Sequence, residues 1–336
     1  MKLLIYITFI LLLCIIFFIK RKHAIYPVIF IFFSYLLVLM IKHNDYLYLT
    51  GYVYLLYLCF IILFIVISLL LYSTENKYIY IVVSSLILLI TVSIGYQKHR
   101  RYTYYKNIAT RLYTNSKKDR YNFYTGWEDY RIGDIVRSPF GINYQSIKEN
   151  HQNKFPTSIA TMYMSKTNKA NDYSIVQACI SEKKQELQLA IPTQDTYVIH
   201  IRIGDVMEDK EYSVITMLAK PTYYYELFPG PAFLTVYTKP LSYYEEKRKQ
   251  LEKYPIKNII IVAGSHIQSD YLKSSEYINC IRLYYQEAGY HVSLRLGSLP
   301  DEDIVFMSYA SYFTSSGGGF SEMISQLVKQ NGGIII

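Results

Sequence analysis

The sequence predicts a membrane-anchored α/β protein, with four transmembrane helices followed by a domain that ends in a parallel sheet. Three observations carry that reading. Residues 1–96 hold only six Lys/Arg and two Asp/Glu, they are filled by four long apolar runs, and after residue 196 short β-branched runs alternate with helical stretches. The 336 residues are 51% apolar and 18% charged, too apolar for a disordered chain, and 15 glycines with 10 prolines exclude collagen. Of the formal net charge of +9, the residues after 96 contribute 29 Lys/Arg against 24 Asp/Glu. So mild a basic excess suits an anionic ligand and is not a nucleic-acid footprint.

The apolar runs are 3–19, 24–41, 49–72 and 78–96. Each matches the ~17–25 residues that a helix needs to cross a bilayer. Charges sit between them, at Lys20-Arg21-Lys22, at Lys42 with Asp45, and at Glu75 with Lys77. A transporter or proton relay usually carries an ionisable residue inside its spans, and these contain none, so anchoring is the expected role. An even number of spans leaves both ends on one side. That side carries Lys2, Lys42, Lys98, Arg100, Arg101, Lys106 and Arg111, against Lys20, Arg21, Lys22 and Lys77 opposite. The positive-inside rule then makes the chain a multi-pass integral membrane protein with its soluble domain on the cytoplasmic side. Lys20-Arg21-Lys22 follows the first run where a signal peptide would show a small-residue cleavage site. No Asn-x-Ser/Thr sequon occurs.

Residues 97–120 read as a basic juxtamembrane linker or helix facing anionic headgroups or solvent. Cys14 and Cys59 lie inside apolar runs, and Cys179 and Cys280 lack metal-ligand spacing, so all four are expected to be reduced. Residues 121–195 read as a small α/β region, and 196–336 as a second region with clearer periodicity. There 196–201 (TYVIHI), 258–263 (NIIIVA), 290–295 and 311–315 read as strands. Residues 269–288, 301–309 and 319–329 read as helices, before the apolar 334–336. Strand and helix in alternation mark a parallel sheet covered on both faces.

Four clusters have the residue types for chemistry. His200-Ile201-Arg202-Ile203-Gly204-Asp205 places His200 and Arg202 on one face at a strand's carboxyl end, where ligands bind in such sheets. Arg202 offers a forked contact to phosphate, Gly204 a tight exit, and Asp205 a partner for the arginine or a cap. The alternative is a core histidine beside a structural Arg–Asp pair. Second, Ser315, Ser316, Gly317, Gly318, Gly319, Phe320 and Ser321 follow a strand and open a helix. Glycines there let a phosphate approach the free amides, although no P-loop lysine is present and a packing turn fits as well. Third, Asp301-Glu302-Asp303 mimics an Asp-x-Asp metal motif, but its place at a helix start favours Asp301 as N-cap. Fourth, His266 and Asp270 after the 258–263 strand are candidate nucleoside contacts, or a solvated histidine beside a helix-start carboxylate.

In their order, these pieces resemble the superfamily of GDP-fucose-dependent fucosyltransferases, nearest to its α1,2 branch. The resemblance covers about residues 196–328 and rests on His200 to Asp205, Pro240-Leu241-Ser242-Tyr243-Tyr244, Ala263-Gly264-Ser265-His266, Asp303 to Ser308, and Ser315 to Ser321. It implies a GT-B-like domain whose carboxyl-terminal part is Rossmann-like. It also implies inverting transfer of a sugar from a GDP-sugar donor to a hydroxyl of a glycan or glycoconjugate acceptor. No cofactor and no divalent metal would be needed. Arg202 would hold the leaving diphosphate and His200 would orient it, with Asp205 beside them. Ser315, Ser316, Gly317, Gly318, Gly319 and Ser321 would cradle the donor, and His266 and Asp270 would contact guanosine. The partners implied are the donor, the acceptor and the lipid bilayer, with no nucleic acid. The family's amino-terminal Leu-Gly-Asn-Gln segment has its nearest counterpart in Arg131-Ile132-Gly133-Asp134-Ile135, a poor match, and glycines replace the tryptophans of the last motif. These departures keep open a non-catalytic membrane protein that binds a sugar nucleotide or carbohydrate.

Overall fold

The computed structural model describes residues 97, 99–123, 132–137, 159–208, 212–219, 237–265 and 270–336. The four apolar runs, and with them the anchoring and its orientation, lie outside these residues. Among the described residues no helix is long and apolar enough to cross a membrane.

Five strands form one parallel sheet: β1 (Thr196–Arg202), β2 (Asn258–Gly264), β3 (His291–Arg295), β4 (Tyr312–Thr314) and β5 (Ile334–Ile335), in the order β3-β2-β1-β4-β5. Thr196 pairs with Asn258 and Arg202 with Gly264 on one side of β1, while Tyr197 pairs with Tyr312 on the other. The chain thus steps outward from β1 to β3, then returns to lay β4 on the opposite side. This is the order of a Rossmann-type half, and the reversal between β1 and β4 opens a crevice at the carboxyl ends of the strands.

The helices are α1 (101–115), α2 (Ile132–Arg137), α3 (Ile159–Lys166), α4 (Tyr173–Leu187), α5 (Val214–Ala219), α6 (Leu241–Leu251), α7 (Leu272–Glu287), α8 (Pro300–Ser308) and α9 (Gly318–Gln330). Alternation along β1 sorts the core into two layers. Tyr197, Ile199 and Ile201 face Leu112, Leu218, Tyr244, Ile281 and Tyr285. Val198 faces the other way, with Val262 and Phe313, toward Ile135, Ile180, Ile304, Ile324 and Leu327. Helices on both faces explain why β1 is buried from Thr196 to Ile201 rather than alternating buried and exposed.

The first layer contains seven buried tyrosines, and the hydroxyls of several are satisfied inside it. Tyr197 donates to Thr314 Oγ1 at 2.6 Å, Tyr285 to the Tyr244 carbonyl at 3.4 Å, and the Tyr244 and Tyr277 hydroxyls meet at 3.0 Å. A buried phenol keeps its packing area only if its O–H finds such a partner.

The basic stretch 97–120 is helical over 101–115 and carries core residues: Tyr105, Ala109 and Leu112 are buried. Arg111 pairs with Glu287 at 2.7 Å, and Tyr113 donates to Glu276 at 2.8 Å. The 121–195 stretch contributes α2, α3 and α4 to the second layer and no strand among the described residues.

One expectation is corrected. The N-cap of α8 is Leu299, not Asp301, because Pro300 takes the first helical position, where its missing N–H does no harm. Glu302 turns back to the Leu299 amide at 3.3 Å. Asp301 instead reaches another helix, accepting from the Ile159 amide at 3.3 Å and so capping α3. Asp303 accepts from Arg295 Nε at 2.6 Å. Burial raises the Asp301 carboxyl to about 6 and the Asp303 carboxyl to about 7, the latter in spite of Arg295.

Candidate functional site

The crevice between β1 and β4 gathers the residues of the first two clusters. β1 ends at Arg202, and Gly204 follows with φ 77°, the left-handed turn that the tight exit requires. The Gly204 amide donates to Ser274 Oγ at 3.1 Å, which ties that exit to α7. Asp205 lies in the short 3₁₀ turn Gly204–Val206, where only its backbone is described.

His200 is buried beneath the 315–319 turn, at 4% exposure. Its Nδ1 meets Ser321 Oγ, and Ser316 Oγ at 3.3 Å, while its ring lies 5.3 Å from that of Phe320. Ser316 Oγ also accepts from the Arg202 amide at 3.2 Å. His200 therefore holds the two serines in place rather than facing the crevice. The core-histidine reading and the functional one merge here, since what it packs beneath is the candidate cradle.

The turn itself is shaped by short-range contacts. Ser315 Oγ accepts from the Gly317 amide at 2.9 Å, and the Ser315 carbonyl accepts from Tyr243 Oη at 2.9 Å. Gly317 and Gly318 have φ of 93° and 83°. A β-carbon on Gly318 would also stand 2.8 Å from Tyr237 Cε1. The same Tyr237 ring carries the Arg202 guanidinium, whose Cζ lies 4.3 Å from its centroid. Arg202 is thus held over a surface that also contacts the start of α9.

Three helices begin where β2, β3 and β4 end, and their N-termini differ. At α7, Glu208 accepts from the Ser274 amide at 2.8 Å and the Lys273 amide at 3.2 Å, and Asp270 accepts from the Leu272 amide at 3.4 Å. At α8, Glu302 closes the turn. α9 begins after Gly317 with no side-chain cap and no acid in its first turn. Two of the three positive helix ends are already met by carboxylates. The third has no such acid and lies beside Arg202.

Asp270, a candidate for guanosine contact, is engaged locally at the start of α7, and His266 lies outside the described residues. The three acids of 301–303 each have a protein partner. Among the described residues no three His, Cys, Asp or Glu side chains gather as a metal site.

Several contributors were not singled out from the sequence. Tyr237 and Glu208 sit in stretches without a motif. Gly133 belongs to the weakly matching 131–135 segment, yet a β-carbon there would fall 2.4 Å from Phe320 N. Only a glycine lets α2 lie so close to the start of α9.

No family model and no curated protein matches the chain. Among solved structures it is similar to a crystal structure of POFUT1 in complex with GDP, at 12% identity and a TM-score of 0.30. The likeness covers 56% of this chain and 57% of that one, so the chain spans little more than half of that structure.

Proposed function

We propose that Arg202 and the 315–319 turn bind the diphosphate of a GDP-sugar, and that the protein is a membrane-anchored glycosyltransferase of inverting, fucosyltransferase-like type. One observation carries the reading. Of the helices that directly follow β2, β3 and β4, only α9 starts without a carboxylate, and Arg202 stands beside it.

The chemistry follows from charge. As the bond from the sugar to the diphosphate breaks, negative charge grows on the departing oxygens. Preorganised amides and a guanidinium stabilise that charge more in the transition state than in the ground state. Such a cradle can serve without a divalent cation. An acceptor hydroxyl on a glycan or glycoconjugate attacks the opposite face of the sugar, losing its proton to a carboxylate, for which Asp205 is the candidate. His200 positions Ser316 and Ser321, and His266 and Asp270 remain the proposed guanosine side. The apolar runs would hold the domain at the cytoplasmic face of a bilayer.

Calorimetric titration of the full chain in detergent, with GDP and GDP-fucose and with EDTA present, tests this. Micromolar binding that Arg202→Ala weakens at least tenfold is expected, in line with the ~1.5–3 kcal/mol of a charged hydrogen bond. Absence of nucleotide binding would remove the reading. Binding without transfer to any acceptor would favour the non-catalytic alternative.

A further inference from the structure

The start of α6 gathers two ammonium groups that the donor cradle does not use. Tyr243 and Lys247 are four apart on one face of α6, and Lys239 lies just before its N-cap, Pro240. Both ammonium groups lie over the Tyr243 ring, at 5.3 Å and 5.2 Å from its centroid. The other bases of the helix have acids: Arg248 pairs with Glu252 at 3.1 Å, and Lys249 with Glu245 at 3.4 Å. Lys239 and Lys247 have no ion-pair partner among the described residues, although both are half-buried. α6 starts after Pro240 with no side-chain cap and no acid in its first turn. Ser242, in that first turn, is 4% exposed, and its Oγ has no hydrogen-bond partner among the described residues. Side chains on a helix lean toward its N-terminus, so this hydroxyl leans toward the same end as Lys239.

We propose that Lys239, Tyr243 and Lys247, with the start of α6, form a second oxyanion site that takes a phosphate group of the substrate. The site adjoins the donor cradle through one ring, because Tyr243 Oη holds the Ser315 carbonyl at 2.9 Å. Its identity as a substrate site rests on the donor reading; its affinity for phosphate does not. Burial pushes the Lys239 ammonium down to about 8, and Lys247 adds repulsion. Lys247 is itself lowered by burial, partly offset by Glu246. Two cations brought together at such a cost are stabilised by a bound dianion.

The test uses the full chain in detergent, saturated with GDP and titrated with inorganic phosphate, glucose 1-phosphate and dihexanoyl phosphatidate. One further phosphate should bind, at least tenfold more weakly in Lys239→Gln and in Lys247→Gln, with Lys239→Arg near wild type and GDP affinity within twofold throughout. Preference for glucose 1-phosphate would identify a sugar phosphate as the ligand, and preference for phosphatidate a lipid headgroup. Should Lys239→Gln fail to fold, Lys247→Gln carries the comparison alone. Phosphate that GDP displaces, or that binds equally to both glutamine variants, would overturn the proposal. Loss of GDP binding with the lysine-dependent phosphate retained would instead refute the donor reading alone.

Discussion

Gly133 and Phe320 meet backbone to backbone: a β-carbon on Gly133 would stand 2.4 Å from the Phe320 nitrogen and 2.4 Å from the Gly319 carbonyl carbon. Neither obstacle is a side chain that can swing away. The start of α9 is therefore set from two sides, by His200 and the serines beneath it and by α2 beside it.

Gly133→Ala is expected to destabilise the domain. Alanine gains ~1 kcal/mol of helix propensity over glycine, but forcing backbones apart costs ~1–3 kcal/mol and carries the start of α9 with it. The melting temperature should fall, and GDP affinity should fall with it. A variant as stable as wild type would mean that α2 and α9 are not in contact.

Tyr237→Leu removes the ring beneath Arg202 while keeping an apolar neighbour for Gly318. A stacked guanidinium gains ~0.5–1 kcal/mol at a partly exposed site, so GDP binding should weaken about two- to fivefold. Tyr237→Phe should behave as wild type. Equal affinities for the leucine and phenylalanine variants would show that the ring does not position the arginine.

Glu208→Ala uncovers the start of α7, where the carboxylate accepts from two amides. Loss of such a cap costs ~0.5–2 kcal/mol, to be read from the denaturant midpoint. GDP binding at α9 should be retained in the folded variant. A marked gain in GDP affinity would instead place the anion at the uncovered start of α7.

Burial raises the Asp303 carboxyl to about 7, above its value near 4 in an unfolded chain. Between those values the folded protein binds more protons than the unfolded one, so this group's contribution to stability is full in acid and lost as pH rises toward 7. In Asp303→Asn that loss is absent. The midpoint difference between variant and wild type should shift in the variant's favour from pH 4 to pH 7, and a difference independent of pH would refute the burial argument.

Much of the sheet was legible because β-branched runs and helical periodicity alternate plainly after residue 196. Each strand and helix expected there appears, with ends displaced by no more than three residues. Gly204 and the glycines of the 315–319 turn were legible for a similar reason, since a chain leaving a strand tightly leaves few other residues possible. The partners were not. Nothing in the sequence says that Glu208 caps α7 or that Asp301 caps α3, because each contact joins segments far apart in the chain. Pro300 also displaced the helix start that Asp301 was expected to mark. Tyr237 lay hidden among 38 tyrosines, with no motif around it.

The tyrosine layer beneath α6 and α7 also serves as an unlabelled reporter. Burial holds the Tyr244 and Tyr285 phenols well above their usual range, whereas phenols in water ionise near pH ~10. Above that pH the unfolded chain releases protons that the folded layer retains, so alkali pulls the domain open and a late, cooperative rise of phenolate absorbance marks the event. The domain can thus be followed by the colour of its own interior.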